Sequence, residues 1–195
     1  MLANSKRELL AAIDGPYGEP IDTTAYGTIM LFASDIGIAG VMAVVKEAMD
    51  KRRQWKSNTQ RLLLIWQVDN QEQYEINEPF MTELLNDDDT RGVLEATVYV
   101  TSAQEDVSGT DSWGERAKMV GIPPDQDILP HLDVLLEKYA KHPCRSLVCV
   151  SANAQMRDRL SSLCRRDFPG KFDYREMDFQ PVPERRLPIT HKSLP

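Results

Sequence analysis

Much that would identify a function is scarce in these 195 residues. Cysteine appears three times, at Cys144, Cys149 and Cys164, an odd number without metal-ligand spacing, so neither a disulfide framework nor a zinc site is indicated. The thiols read as core or incidental groups in a reduced, cytosolic-side environment. No apolar run approaches the ~20 residues of a membrane-spanning helix. The first twenty residues, MLANSKRELLAAIDGPYGEP, lack the apolar core of a signal peptide. Positive charge is in deficit: 23 Lys and Arg stand against 30 Asp and Glu, which disfavours nucleic acid or an anionic membrane as the main partner. His131, His142 and His191 lack partner patterns for catalysis, and neither a carboxylate pair nor a Ser-His-Asp arrangement is evident. There are no internal repeats.

What the chain does contain is alternation. At 42% hydrophobic and 27% charged residues it is an ordinary globular composition, long enough for one sizeable domain. The organising stretch is Thr28–Val45. A short apolar run, Ile29–Ala33, meets a tight turn, Ser34–Gly40, and a helical pattern follows to about Arg53, with Val41, Val44, Val45, Ala48 and Met49 on one face. Strand, small-residue turn and helix form the first half of a βαβ unit, whose turn points helix N-terminal amides at a place where a phosphate can sit.

The pattern continues along the chain. Arg61–Val68 is a near-continuous apolar strand, as in a parallel sheet covered on both faces. A polar turn, Asp69–Glu75, leads to a helix for which Pro79 suits the first turn and Phe80, Leu84 and Leu85 supply an apolar stripe. Asp87-Asp88-Asp89 reads as a solvated loop. Strands are expected at Val93–Thr101, Ala117–Val120, Ser146–Val150 and Asp173–Phe179, and helices at Ile128–Tyr139 and Gln155–Arg166. Ser102–Trp113 is polar and weakly patterned, and four prolines from Pro181 on predict a loose tail. The reading is α/β: a doubly wound parallel sheet of about five strands with helices on both faces. Ligands of such sheets lie beyond the carboxyl ends of the strands, here Ser34–Gly40, Gln67–Gln71, Thr101–Ser108 and Ser151–Met156.

Several segments, in this order, resemble one family. Asp14-Gly-Pro-Tyr-Gly18, Leu31-Phe-Ala-Ser-Asp-Ile-Gly-Ile-Ala-Gly40 and Leu63-Leu-Ile-Trp66 are similar to the C-terminal half of the ferric reductases and NADPH oxidases, membrane relatives of ferredoxin–NADP reductase. Val98-Tyr-Val-Thr101, Gly121-Ile-Pro-Pro-Asp125 and Val148-Cys-Val-Ser-Ala-Asn-Ala-Gln-Met156 support the likeness, which covers roughly Leu9 to Phe179 and is nearest in tone to fungal ferric reductases. The resemblance implies an oxidoreductase of iron-directed electron transport in which NADH or NADPH gives hydride to FAD. The flavin would sit in a preceding barrel domain, with haem-bearing membrane helices in the same or another chain. It implies that residues 1–18 are the barrel's last edge and linker, 19–180 the NAD(P)-binding domain and 181–195 a flexible tail. The chain would then act at the cytoplasmic side of a membrane within a full reductase, and in the soluble cytoplasm otherwise. It would hold FAD only together with the missing barrel.

The same resemblance marks site residues: Gly15, Tyr17 and Gly18 of the linker, Ser34, Asp35, Ile36, Gly37, Ile38 and Ala39 of the pyrophosphate turn, Asp69, Ser102, Ala152, Asn153 and Phe179, with Ser151 as a weak catalytic candidate and no metal ligand. The family turn reads Gly-Gly-Ile-Gly-Ile-Thr-Pro, and of its three glycines only Gly37 remains here. Asp35 either faces the phosphates as a like charge or caps the helix. Asp69 is either a ribose-binding acid, which favours NADH over NADPH, or a turn aspartate. Ser151-Ala152-Asn153 replaces the family's Cys-Gly-Pro; Ser151 can still hydrogen-bond the carboxamide, Cys149 reads as core and Met156 as packing. Phe179 either caps a flavin or packs at the sheet edge, and Pro181 stands where a tryptophan is common. The other reading is a degenerate, non-catalytic relative that keeps the fold for binding or regulation.

Overall fold

The structure, a computed structural model, describes residues 21–86, 92–101, 117–123 and 125–177. The expected linker with Gly15, Tyr17 and Gly18, the Asp87–Asp89 loop, Ser102–Trp113, Phe179 and the tail lie outside the described residues. Six strands form one sheet: β1 (Thr28–Ser34), β2 (Arg61–Val68), β3 (Leu94–Val100), β4 (Ala117–Gly121), β5 (Ser146–Ser151) and β6 (Phe172–Glu176). Their order is β4-β3-β2-β1-β5-β6, and every neighbouring pair is parallel. Four helices connect them: α1 (Ile38–Arg53), α2 (Gln71–Asn86), α3 (Leu129–Ala140) and α4 (Ala154–Ser162).

The sheet is doubly wound because its central strands are apolar on both faces. β1 is buried along its whole length. Ile29, Leu31 and Ala33 join one core with Leu62, Leu64 and Trp66 of β2, the Val41–Val45 face of α1, and Met81 and Leu85 of α2. Met30 and Phe32 join the opposite core with Leu63, Ile65, Leu132 and Leu136 of α3 and Met156 and Leu160 of α4. The two-residue period of β1 and β2 therefore separates a layer containing α1 and α2 from one containing α3 and α4. The outer layer is pinned by Arg159 of α4, whose Nε donates to Asp133 Oδ1 of α3 at 2.8 Å.

Two details differ from the sequence expectation. α2 starts at Gln71, so Pro79 lies inside it and not in its first turn. Asn70 accepts the Gln73 amide through Oδ1 at 3.0 Å, and the Gln73 Oε1 accepts the Asp69 amide at 2.9 Å, a variant of the reciprocal capping box that starts the helix two turns earlier. Burial of Met81, Leu84 and Leu85 carries it on past a proline that has no N–H for the carbonyl four residues back. The last helix is shorter than expected: after Ser162 the chain widens into a π turn, Leu163–Asp167, where the Phe168 amide reaches the Leu163 carbonyl at 2.8 Å.

α1 ends in an unusual cap. The Trp55 amide bonds the Arg52 carbonyl and the Lys56 amide the Lys51 carbonyl, both at 2.9 Å, which is the Schellman pattern. That motif places one residue in the left-handed region, where glycine is favoured, and here it is Trp55, with φ 56° and 95% exposure. Nothing packed on the indole offsets the backbone strain. Trp55→Gly is expected to raise stability by about 1 kcal/mol in denaturant unfolding, with no change in fold.

The cysteines divide by burial. Cys149 and Cys164 are buried, and desolvation pushes both thiols up to about 12, whereas Cys144 is exposed. A thiol reagent at neutral pH is expected to label Cys144 alone in the folded protein and all three on unfolding.

Candidate functional site

The strand order reverses between β1 and β5, so the crevice at their carboxyl ends is the topological switch point at which open α/β sheets bind ligands. Four chain segments meet there: the turn after β1, the end of β2, Thr101 after β3 and the turn after β5.

The β1–β5 seam is closed by direct backbone contact. A Cβ added to Gly37 would lie 1.9 Å from the Ser151 carbonyl oxygen and 3.1 Å from its Oγ. Gly37 is thus needed for the close approach of the α1 start to the end of β5. Beside this contact, the Asn153 amide donates to Ser34 Oγ at 2.7 Å. The Asn153 side chain in turn accepts the Met156 amide at 3.0 Å and caps α4. Ser34 and Asn153 therefore lie together at the crevice and lock β1 to the start of α4.

The turn itself, Asp35–Gly37, is a single 3-10 turn running into α1. Neither that turn nor α1 receives a side-chain cap. The expectation that Asp35 caps the helix therefore does not hold. The first amide of α1, that of Ile38, already bonds the Asp35 carbonyl, so what the uncapped turn leaves to an anion are the turn's own N–H groups. Ile38 is buried, while Ile36 and Ala39 are exposed on the turn's outer side.

Asp35 has a left-handed backbone, φ 46°, which aspartate tolerates better than most residues. Its carbonyl accepts the indole N–H of fully buried Trp66 at 3.0 Å, so β2 holds the turn in this conformation. Its carboxyl Oδ1 is buried without a hydrogen-bond partner among the described residues. Desolvation holds the carboxyl above the usual range, the Asp69 charge raises it further, and a hydrogen bond from the Gln73 side chain opposes the rise.

Asp69 is exposed at the end of β2. Its Oδ1 accepts the Thr101 hydroxyl at 3.3 Å, and its amide is held by Gln73. The two aspartates thus sit across the β1 and β2 ends with Gln73 between them. Ser151 and Ala152 are half-buried at the end of β5, and Ser102 lies outside the described residues. Reasoning from sequence missed two contributors, Trp66 and Gln73, while Thr101 opens the expected ligand-edge segment Thr101–Ser108. The Asn70-x-x-Gln73 spacing was the available signal for Gln73, and a tryptophan in an apolar strand requires an acceptor for its N–H.

Gly37→Ala is expected to cost about 1–3 kcal/mol in thermal or denaturant unfolding, because the added methyl meets backbone that cannot rotate away.

No curated protein matches the chain. Residues 26–123, from the approach to β1 through β4 to the turn beyond it, match the ferric reductase NAD binding domain family. This interval contains the turn after β1, Asp69 and Thr101. The chain belongs to the ferric reductase NAD binding domain family and carries its pyridine-nucleotide-binding fold.

Proposed function

We propose that this domain accepts NADH in preference to NADPH and presents it to a flavin held by a preceding barrel domain, of the same chain or of a membrane-associated partner. The observation that carries the reading is the 3-10 turn Asp35–Gly37 at the β1–β5 switch point, which has no side-chain cap and offers its own amides to a pyrophosphate, the Ile38 amide being taken by the Asp35 carbonyl. A bound nicotinamide supplies hydride to the flavin, so the domain's own work is binding and orientation, not acid–base chemistry. That is consistent with its small set of catalytic side chains.

Each strand end has a part in this reading. The turn Ser34–Ala39 holds the diphosphate, with Ile36 covering it from the outside. Asp69, oriented by Thr101 and Gln73, accepts the adenosine ribose hydroxyls; a 2′-phosphate in the same place meets a carboxylate. At ~4 Å and an effective dielectric near 20 that repulsion is a few kcal/mol per pair of charges. Ser151 offers its hydroxyl to the nicotinamide carboxamide, and Ala152 and Asn153 border the ring. Gly15, Tyr17, Gly18, Ser102 and Phe179 complete the contacts to the nucleotide and the flavin.

The competing reading is a non-catalytic relative, favoured by the Asp35 carboxylate beside the diphosphate place. Calorimetric titration separates the two. NADH is expected to bind at least tenfold tighter than NADPH, and Asp69→Ser to narrow that gap. Absence of binding by both nucleotides at millimolar concentration sinks the pyridine-nucleotide role for this chain.

A further inference from the structure

The turn after β1 contains a feature that nucleotide binding alone does not explain: a carboxyl group in a left-handed backbone, one of whose oxygens is shielded from water and has no hydrogen-bond partner among the described residues. A buried acceptor left unpaired is costly, and more so when charged. The position is not slack, since the Trp66 indole anchors the Asp35 carbonyl and Gly37 is clamped against Ser151. The carboxyl is thus held near the uncapped start of the helix and does not use it.

The groups facing it are of one sign or neutral. β2 brings the Asp69 carboxylate and α2 brings the Gln73 amide. No cation acts on Asp35 among the described residues. A diphosphate entering the turn adds two more negative charges. An ionised Asp35 then opposes the ligand as a like charge. A protonated carboxyl reverses the interaction, because its O–H is a donor and a phosphate oxygen is a strong acceptor.

We propose that Asp35 makes nucleotide binding proton-linked: the carboxyl takes a proton from solvent as the diphosphate enters the turn and donates it in a hydrogen bond to a phosphate oxygen. This inference rests on the reading that a pyridine nucleotide's diphosphate occupies the turn. The existing neighbours already favour the neutral carboxyl, by burial first and by Asp69 second. The sign follows. The carboxyl titrates at a higher pH with ligand bound than without. Affinity is therefore greatest below the ligand-free titration point, falls up to tenfold per pH unit between the two points, and levels off above the second.

The test uses the full chain and ADP-ribose, which carries the diphosphate and both riboses and withstands acid. Calorimetry from about pH 5 to pH 8, in buffers of different ionisation enthalpy, reads affinity and protons together. Expected are tighter binding at lower pH, uptake of up to one proton per ligand, and an Asp35→Asn variant that binds at least tenfold tighter than the parent at pH 8 with little pH dependence. Asp69→Asn should keep the linkage but move it to lower pH. Carboxyl-carbon NMR of the parent protein should show one aspartate whose titration shifts upward on adding ligand, a readout that does not depend on any variant folding. Binding that is independent of pH, without proton uptake, overturns the inference and leaves the nucleotide reading standing. A folded Asp35→Asn protein that loses binding also overturns it, since Asp35 would then be acting as an anionic acceptor. Absence of ADP-ribose binding in parent and variants at every pH overturns both.

Discussion

The arrangement depends on one steric constraint, the contact of Gly37 with the Ser151 carbonyl. β1 lies between β2 and β5 and is buried along its length, so its exit must pass directly over the end of β5. Only a residue without a Cβ passes there, and the Asn153–Ser34 hydrogen bond secures the two turns at the same level. Both helices that start at the switch point are positioned by this seam. α4 is capped by the Asn153 side chain, whereas α1 has no side-chain cap and starts from the 3-10 turn, whose Asp35 carbonyl takes the Ile38 amide.

Charge is the second theme. The chain is acidic, with a formal net charge of −7, and two of its carboxylates lie at the carboxyl ends of β1 and β2. They are held differently. Asp69 is exposed and braced by Thr101 and Gln73, which suits a fixed acceptor for hydroxyls. Asp35 is partly buried, with an unpaired oxygen and a backbone fixed by Trp66, which suits a group that changes protonation. Gln73 joins the two, giving its carbonyl oxygen to the Asp69 amide and a hydrogen bond to the Asp35 carboxyl. A single helix start thereby coordinates both acids.

The elements were legible where hydrophobic period and strand length agreed. The buried stripe of α1, the unbroken apolar run of β2 and the small-residue turn after β1 follow from local pattern, and each is found as the expected strand, turn or helix. Each of the six strands of the sheet falls on a run marked as a strand in the sequence. Pro79 misled because a first-turn preference is a local statistic, whereas the Asn70 and Gln73 cap and the burial of Met81 and Leu85 decide where α2 begins and continues. The two readings of Asp35, like charge or helix cap, were indistinguishable in sequence because both require an acid at the same position.

By itself, then, the order of apolar runs and breakers determined an α/β chain with a phosphate-type turn, since burial periodicity is a property of neighbouring residues. What only the tertiary structure decided lies between distant residues. Gly37 serves the Ser151 carbonyl, Trp66 fixes the Asp35 backbone, Ser34 ties to Asn153, and Asp35 shares Gln73 with Asp69. Those partners are brought together by the pairing of β1 with β2 and β5, and the charge state of a carboxyl depends on what surrounds it in space, not on what precedes it in the chain.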